Sequence, residues 1–88
     1  MGRFQDSLVR VEDRYSLGTD THTGTPFLSI PVANRLVDYE EYYQLSPAEF
    51  ARFEADEAAA REFAEQCRRH AHDDRLILQP GSDRGVAV

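Results

Sequence analysis

The chain reads as a small α+β protein: an antiparallel-rich sheet with a kinked helix, or a helix pair, packed on one face. Three observations predict this. Charged and apolar residues alternate with period two from Ser7 to Tyr15. A second run, Arg35 to Leu45, is rich in tyrosine and valine, which suit a pleated surface. A long helical pattern opens at Ser46 with a serine cap followed by proline. The predicted order is β-β-β-α-α-β.

In the first strand Val9, Val11 and Tyr15 share a face with Ser7 and Asp13, while Arg10, Glu12 and Arg14 share the other. The segment from Gly18 to Gly24 is polar and glycine-bounded, which is turn chemistry. A strand from Pro26 to Val32 places Leu28, Ile30 and Val32 on one face. Pro26 and Pro31 lack an amide donor and predict an edge position or a bend. Ala33-Asn34 fits a tight connection. In the strand Arg35 to Leu45, Val37, Tyr39, Tyr43 and Leu45 share a face interrupted by Glu41, and Asp38, Glu40 and Tyr42 share the other.

Ser46-Pro47-Ala48-Glu49 is a capping box, with glutamate three residues after the cap. Helix is predicted toward residue 72, with Phe53, Ala60, Phe63, Ala64, Cys67 and Ala71 in one apolar stripe. Asp56 interrupts that stripe. An unbroken helix from Pro47 to Ala71 would be about 37 Å long, against roughly 31 Å across for a compact domain of this length. A break at Ala55-Asp56, with Asp56 capping a second helix, resolves both conflicts. Asp73-Asp74 ends the helical pattern, Arg75 to Gln79 reads as a short strand, and Pro80-Gly81 stops it. Residues 1–6 read as a flexible lead-in, 7–79 as a single domain and 80–88 as a flexible tail.

Eighty-eight residues, 41% of them hydrophobic, suffice for one core and exclude a disordered composition. The single cysteine cannot form an internal disulfide. Together with an N-terminus lacking the apolar run of a signal peptide, it favours a cytoplasmic location. No stretch is long and apolar enough to span a bilayer. All ten basic residues are arginine, a bias of GC-rich bacterial coding. The net charge of −6 repels phosphate backbones and anionic membrane surfaces and favours a protein partner with a basic surface.

Four groups of residues break the local patterns. Cys67, His70 and His72, with Asp73 and Asp74, gather potential metal ligands, but their spacing matches no zinc motif. A helix end favours histidine, and a helix core favours cysteine, without any metal. Asp13 and Glu41 lie on otherwise apolar strand faces. As neighbours they would form a carboxylate pair suited to acid–base chemistry or ligand binding. Asp20 and His22 sit in the polar loop and suit a small polar ligand or an ordinary hairpin. Asp38, Tyr39, Glu40, Glu41, Tyr42 and Tyr43 form an acidic, tyrosine-rich strand of the kind enriched at protein interfaces. No phosphate loop, nucleophile elbow or zincin motif is present, and no cofactor is implied. The sequence favours a noncatalytic interaction module, immunity-type or self-associating, with that strand as its surface. The alternatives are an enzyme or ligand-binding domain built on Asp13 and Glu41, and a metal-binding regulator built on Cys67, His70 and His72.

Overall fold

The computed structural model describes residues 2–33, 38–79 and 84–87. Strands β1 (Phe4–Arg10), β2 (Tyr15–Asp20), β3 (Thr25–Ala33) and β4 (Asp38–Gln44) form an antiparallel meander in the spatial order β1-β2-β3-β4. Helices α1 (Pro47–Ala55) and α2 (Glu57–Arg68), a 3-10 turn (Asp73–Arg75) and strand β5 (Val86–Ala87) complete an α+β fold. The predicted class holds, with one more strand than expected.

The extra strand comes from splitting the first one. Chain reversal occurs at residues 11–14, so β2 begins at Tyr15, and Gly18 to Asp20 belong to β2 rather than to the loop. Period-two alternation runs through this turn unchanged, so the pattern gives no sign of it. The turn is held from outside. Arg14 adopts a left-handed backbone with φ 56°, and Arg68 of α2 donates to the Asp13 carbonyl at 2.6 Å and the Arg14 carbonyl at 2.7 Å.

β3 is central, not an edge as its prolines suggested. Leu45 donates its amide to the Pro26 carbonyl at 2.9 Å, so Pro26 directs its backbone toward the β4 side. Alternation then turns Pro31 toward the opposite edge. There β2 pairs only as far as Ser29 and β5 begins only at Val32. The missing Pro31 amide falls in that gap and leaves no ladder bond broken.

Both helices pack over β3 on one face of the sheet. Leu17, Leu28, Ile30, Val32, Tyr43 and Leu45 meet Phe53, Ala60, Phe63, Ala64 and Cys67 there, all buried. Ser46 caps α1 in a complete capping box, and Asp56 ends α1 while capping α2 through the Ala59 amide at 3.1 Å. The break is where the stripe and the length argument place it. α2 stops at Arg68 rather than near 72, and His70 takes a left-handed backbone with φ 64°. Ala71 therefore leaves the stripe and is exposed. The expected strand from Arg75 to Gln79 is instead the 3-10 turn and a single bridge between Leu76 and Tyr43.

Both ends of the chain are more structured than expected. Phe4 to Asp6 already belong to β1, and Val86–Ala87 pair with β3. The predicted connection at Asn34, the start of the tyrosine strand at Arg35 to Val37, and the stop at Pro80-Gly81 lie outside the described residues.

The opposite sheet face carries no helix, and it is curled. Phe4 of β1 and Tyr42 of β4, separated by two strands, stack with ring centroids 3.7 Å apart, and Phe27 meets both rings edge-on. Gly18 permits this closure. A Cβ there would lie 2.1 Å from the Gln5 carbonyl oxygen and 2.7 Å from Phe27 Cζ. Gly18→Ala is accordingly expected to cost about 2–3 kcal/mol through overpacking against backbone. The check is a urea unfolding midpoint; an unchanged midpoint would show that β1 moves aside freely.

Candidate functional site

β4 divides its residues between the two faces. Tyr39, Glu41 and Tyr43 point toward the helices, and Asp38, Glu40 and Tyr42 toward the uncovered face. The six-residue surface expected from the sequence is therefore not one surface. Glu41 and Tyr43 are buried at 6% and 0% exposure and cannot touch a partner.

Glu41 is instead the centre of a polar cluster under the helical layer. Arg84 grips it with Nε on Oε2 at 2.7 Å and Nη2 on Oε1 at 2.9 Å. The same guanidinium reaches both Asp73 oxygens at 2.9 and 3.0 Å. Tyr43 donates its hydroxyl to Glu41 at 2.7 Å, and the Gly85 amide donates to the Tyr39 hydroxyl at 2.7 Å. Burial alone would raise the Glu41 carboxyl. The Arg84 guanidinium and the Tyr43 hydroxyl outweigh it and hold Glu41 below the ordinary carboxylate range. Burial, then the Glu41 hydrogen bond, push the Tyr43 hydroxyl far up. Each of these groups has a partner within the cluster, which thereby docks residues 84–87 against the sheet.

The carboxylate pair expected from Asp13 and Glu41 does not form. Asp13 lies in the β1–β2 turn, 3.8 Å from Arg61, while Glu41 is committed to Arg84. The metal candidates diverge as well. Cys67 is fully buried in the core, where burial pushes its thiol up to about 12. His72 stacks on Phe63 with centroids 4.3 Å apart and bonds Gln66 at 2.7 Å, and His70 is exposed. Among the described residues no group of three histidine, cysteine or carboxylate side chains could hold a metal ion.

The polar hairpin is also internally satisfied. Asp20, 1% exposed, takes two bonds from Arg3 at 2.9 and 2.8 Å and one from the His22 amide at 3.0 Å. Those donors, Arg3 first, hold its carboxyl at about 2.

The uncovered face is different. Across it run Val9, Ser16, Ser29 and Tyr42 in register, with Pro31 beside Glu40 in the next row. Glu40 is half-buried and accepts one hydrogen bond, from Ser29 Oγ at 3.0 Å. Burial raises its carboxyl, the Ser29 bond opposes this, and the nearby Asp6 charge adds to the rise. Asp6, although largely exposed as a residue, is itself raised by partial burial of its carboxyl. Burial followed by the charges of Glu40 and Asp6 raises Tyr42. Among the described residues no arginine pairs with Asp6 or Glu40. Asp6 was not legible as a site residue because it lay in the expected lead-in; only the curl of the sheet carries it toward β4.

No family model, curated protein or solved structure matches the chain. No helix among the described residues is long and apolar enough to cross a membrane.

Two outcomes follow from the ion clusters. Arg84→Met leaves Glu41 buried without its cation and is expected to destabilise by about 3 kcal/mol. Amide exchange at Gly85 and Ala87 should accelerate, and the Arg84→Met/Glu41→Leu double variant should recover part of the loss. Equal stability of Arg84→Met and wild type would remove the docking role. Asp20, Glu41, Glu49 and Asp73 are all depressed in the folded protein. Their contribution is therefore complete above the ordinary carboxylate range and is lost as pH falls, for Asp20 through about 2. Urea melts between pH 2 and 5 should show stability rising with pH, and Asp20→Asn should flatten that rise.

Proposed function

We propose that this protein is a noncatalytic interaction module, and that the uncovered sheet face bearing Asp6, Asp38, Glu40 and Tyr42 docks a protein partner with a basic surface. The observation that carries the reading is the contrast in charge allocation. Glu41, Asp73, Asp20 and Glu49 are each spent on an arginine. Asp6 and Glu40 have no such neutralisation among the described residues; burial raises both carboxyls, and the Asp6 charge adds to the rise at Glu40.

Ionised, that pair works against the fold at neutral pH, because a carboxyl raised in the folded state loses its stabilising contribution as pH rises through it. A cationic partner reverses the sign of this cost. The half-buried Tyr42 adds rigid contact area at low entropic cost. A second copy of the chain is the weaker candidate, since it brings the same net charge of −6 to the interface. An enzymatic reading built on Asp13 and Glu41 has no geometric support. The cytoplasmic bacterial setting belongs to this proposal and rests on composition.

The test is affinity capture from native lysate with wild-type protein and with the Asp38→Arg/Glu40→Arg variant, each shown to be folded by circular dichroism. Wild type is expected to retain a basic protein that the variant loses, with retention falling several-fold between low and high salt as screening sets in. An identical set of bound proteins for both, insensitive to salt, would refute the docking face.

A further inference from the structure

Residues 84–87 are held to the rest of the molecule by polar bonds more than by apolar burial. The Arg84 guanidinium makes four of these bonds, through Nε, Nη1 and Nη2, to Glu41 and Asp73. The Gly85 amide adds a fifth, to the Tyr39 hydroxyl. Strand β5 is two residues long and pairs with β3 only at Val32 and Ala33. Val86 is 75% exposed, and of the segment's side chains Ala87 packs against the core. Ala87 also lines a cleft of about 590 Å³, which it shares with Ala58, Arg61 and Arg68 of α2 and with Asp13 and Arg14 of the β1–β2 turn. A single methyl group at position 87 leaves that cleft unfilled.

We propose that residues 84–87 occupy in cis a recognition site for an extended segment of a protein partner, one that places an arginine between Glu41 and Asp73 and, three residues further on, a large apolar side chain in the cleft beside Ala87. The site lies on the helix side of the sheet, away from the docking face that bears Glu40, and does not depend on it. Its geometry selects the arginine. Two carboxylates engage three guanidinium nitrogens at 2.7 to 3.0 Å, a forked match that a lysine ammonium cannot make. The Glu41 side chain is 5% exposed, so each opening of the segment leaves a largely buried carboxylate without its cation, and the site calls for a replacement.

The sheet and the cleft select the rest. β2 pairs with β3 only as far as Ser29, which leaves Val32 and Ala33 for another strand to pair, so the occupant is extended. The cleft lining carries three arginines and four acids and so favours neither sign of charge. Arg68 turns its guanidinium onto the Asp13 and Arg14 carbonyls, which leaves its aliphatic stem as wall. With Ala58 it offers apolar contact to a leucine-sized side chain, where Ala87 gains little. Both segments make the same arginine bonds, so the side chain at this last position decides the exchange.

The experiment titrates the full ¹⁵N-labelled wild-type chain with three peptides: acetyl-Arg-Gly-Val-Leu-amide, acetyl-Arg-Gly-Val-Ala-amide, and the leucine peptide with citrulline, a neutral isostere, in place of arginine. Each is taken to about 10 mM, because a tethered segment competes at an effective concentration on the order of millimolar. The leucine peptide is expected to shift the amides of Val32, Ala33 and Glu41 and to release those of Gly85, Val86 and Ala87. It should bind roughly tenfold more tightly than the alanine peptide, by burial of the added methylenes. It should exceed the citrulline peptide by a factor of roughly ten or more, by the lost charge. Within the chain, Ala87→Leu fills the cleft in cis and should slow amide exchange at Gly85 several-fold. A leucine peptide that binds no more tightly than either of the others, or that leaves residues 84–87 paired, would overturn the proposal. So would an Ala87→Leu chain whose Gly85 amide exchanges as fast as in wild type.

Discussion

The close passage of β1 over Gly18 is the contact on which the shape of the molecule turns. Any side chain at that position would occupy the space of the Gln5 carbonyl and the Phe27 ring. With hydrogen in its place, β1 settles close to β2, and Phe27 is fully buried on a face that has no helix to cover it. Its cover is supplied by Phe4 and Tyr42, which stack across the width of the sheet. One small residue therefore converts an open meander into a curled one with a second, aromatic core. The same curl brings Asp6 within electrostatic reach of Glu40.

Charge is distributed with a corresponding asymmetry. On the helix side and at the chain ends, arginines are matched to acids at hydrogen-bond distance: Arg3 to Asp20, Arg75 to Glu49, Arg84 to Glu41 and Asp73. Each joins segments distant in sequence, so ion pairs here hold the architecture together. Largely buried ones such as Glu41 with Arg84 add specificity of docking more than net stability, because desolvation offsets much of their attraction. On the uncovered face the carboxylates have like-charged neighbours instead. The acids that are buried or tie the segments together are matched to arginines, whereas Asp6 and Glu40 are drawn close to each other's charge without one among the described residues, and the proposed function builds on that difference.

Local rules located the helices well. The capping box at Ser46 and the second cap at Asp56 involve residues within three positions of each other, so their bonds are written in the local chain. The apolar stripe through Phe53, Phe63 and Cys67 is likewise a helical period. Strand boundaries were harder. The β1–β2 turn has no glycine, proline or asparagine, and its conformation depends on Arg68, more than fifty residues away. Pro31 suggested an edge or a bend because the gap that accommodates it, between the last β2 pair at Ser29 and the first β5 pair at Val32, is bounded by a strand from the other end of the chain. The tyrosine strand was recognised as extended, yet period two could not reveal that Glu41 would be drawn inward by an arginine beyond the expected domain.

By itself the sequence determined an acidic α+β protein, a helix pair broken at Asp56, a sheet with tyrosines along its last long strand, and the absence of any recognisable catalytic motif. These follow from composition, period and capping, which are properties of neighbouring residues. Tertiary structure alone decided which acids are neutralised and which are not. That outcome depends on the approach of β1 to β4 and of Arg84 to Glu41, contacts between segments whose separation along the chain carries no signal of their meeting. The candidate site is a product of those distances: Asp6 and Glu40 become a pair only once the sheet has curled.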